Sequence, residues 1–368
     1  MRISRFFADN FRCLVNFELS VAPIQLLVGA NGSGKSTILE VLNRLRSFVV
    51  EGANCADKFG GETRTRWQKV SKQRLELDVS EDDHIYRYIL VIAEDVKRQA
   101  RVERETLDFE GKALFQFIEG EIRLFNDWQN AEPSVKFHAD WSHSGLGIVS
   151  PRPDNTKLTA FKEWLDRLRP VQINPWDMSE RSEAEARFPS PDLDNLADWY
   201  RHLTQENGDA VYAALEDIRA AIPGLTSLNA RQAGREYREV IATLKGPGGE
   251  QVEVTFAELS EGQKCITALY LLLHAQLSEA ATLVIDEPEN FISLREIQPW
   301  LMKAIDKAEE CEGQLIVASH HPEILNQLVG RSAALLDRTD GGAARAKPFP
   351  EADGLTPAEI VASGWENV

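Results

Sequence analysis

The segment Gly29-Ala30-Asn31-Gly32-Ser33-Gly34-Lys35-Ser36-Thr37 fits the pattern GxxxxGK[ST]. It constrains the fold more than any other stretch because of what flanks it. An apolar run over residues 24–28 reads as a buried strand, and residues 36–48 place Ile38, Leu39, Val41, Leu42 and Leu45 at helical spacing. Strand, glycine loop and helix in that order make a phosphate cradle. The glycines let the backbone wrap with its N–H groups facing inward, and the helix start adds a favourable field. Lys35 then reaches the β- and γ-phosphates, and the Ser36 hydroxyl sits on Mg2+. A glycine turn that happens to open a helix is the plain alternative; the flanking strand and helix favour a nucleotide site.

Such a loop calls for a parallel sheet, and the last third of the chain supplies one. Residues 261–277, 294–308 and 322–329 read as helices between strands at 282–286, 314–318 and 333–337, an alternation that implies mainly parallel pairing. Residues 75–128 differ. Ile85, Tyr86, Tyr88, Leu90 and Ile92 follow strand spacing, and Glu110-Gly111 and Glu119-Gly120 mark turns, so an antiparallel sheet of hairpins is expected. Prolines concentrate between Pro133 and Pro191 and tryptophans between Trp128 and Trp199, and periodicity fades over residues 129–195. That stretch reads as an irregular insertion with one helix at 159–168, its tryptophans forming a small satellite core rather than a stacking platform. Helical patterns at 193–203 and 210–222 and strands at 237–244 and 250–256 follow. The expected fold class is α/β, with an antiparallel β lobe, a mainly parallel P-loop sheet and a helical or irregular insertion. The expected boundaries are 1–128, 129–235, 236–338 and a tail, 339–368.

Composition removes several classes. The longest nearly apolar stretch, residues 266–277, is interrupted by His274 and is too short to span a bilayer. The N-terminus lacks the apolar core and small residues of a secretory signal. Cys13, Cys55, Cys265 and Cys311 lie far apart with no CxxC, which argues against a zinc site or disulfide framework and for a reducing cytoplasm. A net charge of −17 speaks against a surface coated for nucleic acid but leaves room for a local basic groove. Two basic runs could form one: Arg64, Arg66, Lys69, Lys72 and Arg74 around Trp67, and Lys97, Arg98, Arg101 and Arg104. Solvated surface is the competing reading of both.

Two further motifs carry chemistry. The apolar run 282–285 ends in Asp286-Glu287-Pro288-Glu289, which places Asp286 at the carboxyl edge of a parallel sheet as a Mg2+ partner and Glu287 as the group that deprotonates an attacking water. Leu259-Ser260-Glu261-Gly262-Gln263 opens a long apolar helix. Ser260 and Gln263 have the spacing of a capping box, and Gly262 permits close approach, so helix capping and phosphate contact are both open here.

The order P-loop, LSEGQ, DEP and then Ser319-His320 resembles the ABC-type ATPases. Asn10-Phe11-Arg12, DEPEN, residues 319–323 (SHHPE) and the ending 356–366 are similar to recurring segments of the OLD, RecF and SMC-like group of AAA family ATPases, not to transporter subunits. The resemblance spans the chain, loosely over 129–195. It implies two protomers facing head to tail around ATP and Mg2+. Asn31, Gly32, Ser33, Gly34, Lys35, Ser36 and Thr37 of one protomer would hold the nucleotide, and Ser260, Glu261, Gly262 and Gln263 of the other would close on it. His320 would be the switch histidine, with His321 as the alternative. Arg12 would touch phosphates, or else be a solvated arginine on a strand turn.

There are departures from the pattern. The glutamine that links the two lobes has no clear counterpart, with Gln68, Gln73 and Gln172 as candidates, and Ser293 stands where transporter subunits carry an aspartate. The resemblance implies an ATPase that dimerises and regulates a separate effector chain, a nuclease or toxin, in phage defence. A DNA-binding ATPase of repair is the alternative. A transporter subunit is disfavoured, because the separation of Lys35 from Ser260 is far too long.

Overall fold

The computed structural model describes residues 1–94, 99–128, 132–277, 281–350 and 354–364. Lys97 and Arg98 of the second basic run, and the end of the tail segment, lie outside them. The chain divides into two compact units, Met1–Leu168 with Arg331–Glu351, and Arg169–Gly330 with Ala352–Val368. Among the described residues no helix is long and apolar enough to cross a membrane.

The first unit opens with β1 (Arg2–Asp9), β2 (Phe17–Ser20) and β3 (Ile24–Val28), then α1 (Lys35–Val50) and the short α2 (Cys55–Phe59). Next come β4 (Gln73–Glu81), β5 (His84–Glu94), β6 (Ala100–Phe109), β7 (Lys112–Ile118), β8 (Glu121–Leu124), β9 (Val135–His138) and α3 (Thr156–Asp166). Eight strands form one sheet in the order β2-β1-β4-β5-β6-β7-β8-β9, antiparallel throughout. The expected turns carry the β6–β7 and β7–β8 hairpins. Glu110 and Gly111, then Glu119 and Gly120, all have positive φ, the two-residue conformation whose twist matches paired strands. Alternation buries Tyr86, Tyr88, Leu90 and Ile92, and α3 covers them with Phe161, whose ring lies 5.7 Å from Tyr88 and 5.9 Å from Tyr86. Under this layer sits a buried acid. Glu105 accepts the hydroxyls of Tyr88 (2.8 Å) and Ser144 (2.6 Å) and the N–H groups of Gly145 (2.7 Å) and Leu146 (3.3 Å).

The second unit begins at β10 (Arg169–Gln172) and β11 (Arg181–Ser182), followed by α4 (Leu196–Glu206), α5 (Gly208–Ala221), β12 (Leu225–Gln232), β13 (Arg238–Lys245) and β14 (Gln251–Thr255). It continues with α6 (Glu261–Ala275), β15 (Thr282–Asp286), α7 (Leu294–Glu310), β16 (Gln314–Ala318) and α8 (Pro322–Leu328). The chain then returns to the first unit for β17 (Ala333–Asp337), parallel to β3, and β18 (Arg345–Pro348), antiparallel to β17. It ends in α9 (Pro357–Ala362). In the second unit β10, β15 and β16 run parallel, with Asp286 opposite both Gln172 and Ala318. Every residue of β15 and β16 is buried, as a parallel sheet covered on both faces requires. α6 is apolar nearly all round and buried from Cys265 to Leu273; the Trp300 indole on α7 donates to its Leu269 carbonyl at 3.1 Å.

The stretch read as irregular departs from expectation in two ways. It contains three short strands, β9, β10 and β11, of which β10 joins the parallel sheet and is hidden by its proline and short length. The tryptophans in and beside it also divide: Trp164 and Trp199 are buried as a satellite core would have them, whereas Trp128, Trp141 and Trp176 are exposed.

Candidate functional site

The P-loop belongs to the first unit. β3 delivers the chain to Gly29, where a side chain is excluded: a Cβ there would lie 2.5 Å from the Leu336 carbonyl oxygen of β17. Gly34 caps α1 with φ 112°, and Gly32 has φ 81°, backbone that glycine adopts without steric cost. Lys35 is buried, and its Nζ donates to the carbonyls of Gly29 (2.6 Å) and Ala30 (3.4 Å), so the loop closes around its own ammonium group. Arg338, just past β17, holds the loop tip from outside by donating to Gly32 O (3.3 Å), Gly341 O (2.7 Å) and Gly342 O (2.7 Å). Its guanidinium stands 5.6 Å from the ring centre of Trp67. Thr37 Oγ1 accepts from the Cys13 thiol at 3.7 Å. Arg12, at φ 47°, reaches Glu40 on α1 at 2.6 Å.

Much of the first basic run is neutralised. Arg64 pairs with Glu94 (2.5 Å), Lys72 with Glu103 (2.6 Å) and Arg74 with Glu76 (2.5 Å). In the second run Arg101 stacks 4.5 Å from the Trp141 ring.

A group of acids lies in the second unit. Asp286 ends β15 and is buried. Glu287 follows at φ 47°, a conformation uncommon for a non-glycine residue and held here by its N–H donating to Ala318 O at 2.8 Å. One Glu287 oxygen accepts from the Asn290 amide at 2.9 Å, and the other stands 3.4 Å from His320 Nδ1. The two histidines differ in employment. His321 caps α8, its Nδ1 accepting the Glu323 N–H at 3.3 Å, and burial pushes its pKa down. His320 is half-exposed and faces Glu287. Glu289 is buried and accepts the Ser319 hydroxyl at 2.5 Å; burial raises its pKa.

The capping box expected of the helix start at Ser260 is present. Ser260 Oγ accepts the Gln263 N–H (3.3 Å) and Gln263 Oε1 accepts the Ser260 N–H (3.0 Å), a complete capping box. Glu261 and Ser260 are exposed. Gly262 admits a close neighbour, the Phe291 carbonyl, which a Cβ would meet at 2.7 Å. Ser293 caps α7 in a box with Glu296.

The structure separates the three glutamines. Gln73 is buried in β4, donating to Asn10 O (3.1 Å) and Thr63 Oγ1 (3.0 Å). Gln68 lies in the loop before β4. Gln172 alone of the three ends a strand of the parallel sheet, in register with Asp286. Sequence reading could not rank it, because the signal is its register and not its neighbours. Arg338 and Glu289 were missed for the same reason.

The residues fit a nucleotide. The loop backbone is open only to glycine at Gly32 and Gly34, Lys35 already caps carbonyls at the loop's centre, and a hydroxyl follows at Ser36. Family comparison agrees: the model described as "AAA ATPase domain" matches residues 1–138, and the one described as "AAA domain, putative AbiEii toxin, Type IV TA system" matches residues 247–326. A search among curated proteins returns no match. The fold is similar to that of the Smc head bound to the C-winged helix domain of ScpA, at TM-score 0.57 and 11% identity, covering 94% of this chain and 97% of that one. It is also similar to the Smc head with an extended coiled coil bound to the C-terminal domain of ScpA from Pyrococcus furiosus, at TM-score 0.52 and 11% identity, covering 99% of each. At that identity the likeness is one of fold. AAA ATPase models thus match in order toward the two ends of the chain and an SMC-head fold runs across its length, so the chain resembles the ABC-type P-loop ATPases of the AAA group.

Proposed function

We propose that the chain is a cytoplasmic ATPase that closes head to tail into a homodimer on ATP and Mg2+ and, by hydrolysing ATP, regulates a separate nuclease or toxin effector in phage defence. The observation that carries hydrolysis is the Glu287–His320 pair at the carboxyl ends of adjacent parallel strands. A carboxylate in that place takes a proton from water, and a histidine beside it can steady the charge that develops on the phosphate. Asn31, Gly32, Ser33, Gly34, Lys35 and Thr37 would cradle the phosphates. Ser36 and Asp286 would hold Mg2+, which supplies charge neutralisation when bound. Gln172 joins this set as the glutamine of the linking loop. Ser260, Glu261, Gly262 and Gln263 would meet the partner protomer's nucleotide, the Ser260 hydroxyl trading its cap for a phosphate. Arg12 would have to leave Glu40 to do the same.

The effector role rests on two supports. The C-terminal family description names a toxin of a type IV system, and both similar Smc heads were solved with a partner domain seated on them. The likeness to Smc heads equally favours a second reading, a DNA-binding ATPase of repair, which the pairing of the basic run weakens. Glu287→Gln tests the core of the proposal. It should bind ATP, stall turnover and accumulate dimers by size-exclusion chromatography with light scattering; turnover at the wild-type rate places the base elsewhere. Capture of a nuclease or toxin with the tagged chain in ATP supports the effector reading, and stimulation of turnover by DNA supports the other.

A further inference from the structure

The turn after β15 holds an acid that this chemistry leaves unused. Glu289 is 7% exposed, although it lies only two residues beyond the proposed base. Its Oε1 accepts the Ser319 hydroxyl at 2.5 Å, and its Oε2 is buried with no hydrogen-bond partner among the described residues. Ser319 is itself fully buried just past β16, and its Oγ accepts the His321 N–H at 2.9 Å. A carboxyl group, a hydroxyl and a backbone amide thus join the turn after β15 to the loop after β16. His320 sits between the two residues so held, with its Nδ1 3.4 Å from Glu287 Oε1. Burying a carboxyl group with one oxygen unpaired is costly, and an apolar side chain would fill the space without that cost. What an apolar residue cannot do is fix the spacing of the two loops through the serine.

We infer that Glu289 is a positioning residue for hydrolysis: through Ser319 it sets the loop that presents His320 to Glu287. This rests on the ATPase reading above. The tests use the full chain as wild type, E289A, E289Q, S319A, H320A and E289A/H320A. E289A and S319A should lower kcat by about tenfold or more while affinity for a fluorescent ATP analogue stays within about twofold. E289Q, whose Oε1 can still accept the serine hydroxyl, should restore most of the lost rate. The double variant should be no slower than H320A alone, because residues acting through one another do not add.

A second readout needs no turnover. In spectra of the 13C-histidine-labelled chain, the His320 signal, assigned by its loss in H320A, should move in E289A and S319A and return in E289Q. Wild-type rate and an unmoved His320 signal in E289A overturn the inference, as does a rate loss that adds in full to that of H320A. A wild-type chain that turns over no ATP would sink the ATPase reading, and the His320 signal would still decide whether Glu289 positions it. If E289A fails to fold, S319A, which loses one buried oxygen, decides by the same measurements.

Discussion

Gly262→Ala separates two reasons for a glycine in the LSEGQ segment. One is passage for a partner's nucleotide; the other is visible within a single chain. An alanine Cβ would lie 2.7 Å from the Phe291 carbonyl oxygen, with the Phe291 carbonyl carbon next at 3.8 Å. The obstacle is backbone, so no rotamer change relieves it. The turn carrying it is also tied at both ends. Asn290 N–H donates to Glu287 O and Ile292 N–H to Glu289 O, each at 3.1 Å, and Ser293 caps α7. Phe291 is already at φ 68°, where a bulky residue is strained. Overpacking of this kind costs about 1–3 kcal/mol. Against it, alanine gains at most about 1 kcal/mol over glycine as a helix former, less so near the first turn. The net expectation is a loss of about 1–2 kcal/mol, read as a lower urea midpoint at unchanged slope with no nucleotide present. A G262A chain as stable as the wild type would refute the packing account and leave phosphate approach as the only reason for the glycine.

Other consequences follow from single sites. Glu105→Ala strands two buried N–H groups and two hydroxyls and should cost at least about 3 kcal/mol, whereas Glu105→Gln keeps an oxygen for the N–H groups and offers its amide to hydroxyls that can turn to accept, costing under about 1 kcal/mol; equal losses in denaturation would refute this network. His321 is held below its ordinary 6.5 by burial while Nδ1 caps α8. The folded state therefore binds that proton less tightly than the unfolded, and the cap's contribution is whole above the ordinary value and lost as pH falls through the lowered one. His321→Asn, a non-titrating cap, should flatten that part of the fall in melting temperature, and an unchanged fall would assign it to other groups. Lys35→Ala should abolish binding of a fluorescent ATP analogue. Mixed with Ser260→Ala, it should recover activity through at most one composite site, and a mixture no more active than either variant alone would count against head-to-tail closure.

What could be read from the sequence shares a physical property. The P-loop, the Ser260–Gln263 capping box and the Glu110-Gly111 and Glu119-Gly120 turns are each closed by bonds between residues a few positions apart, so the local sequence contains the whole reason for the structure. β10 is the opposite case. RPVQ has no alternation, carries a proline and is followed three residues later by Pro175; it is a strand only because β15, more than a hundred residues on, pairs with it. Gln172 takes its meaning from that pairing. Arg12 was legible as an arginine near a loop, but its partner Glu40 belongs to the exposed side of a helix whose phase had first to be known.

The turn after β15 shows why local and distant reasons have to be combined to reach a mechanism. DEPEN marks a place where carboxylates gather; its position after a strand suggests roles for Asp286 and Glu287 but does not divide the labour between Glu287 and Glu289. The division is made by β16. Its Ala318 carbonyl takes the Glu287 N–H and holds that residue at positive φ, and Ser319, one residue further, takes the Glu289 carboxyl group and buries it. One acid is thereby turned toward a half-exposed histidine and the other away from water. Partial exposure keeps the first available to a substrate, and burial, which raises the pKa of the second, leaves it held by its hydrogen bond to Ser319. The same turn sets its Phe291 carbonyl where only a glycine at position 262 leaves room for it, so the turn that holds the two acids also packs on the start of α6. The turn that carries the proposed base therefore packs directly against the surface proposed to meet a second protomer.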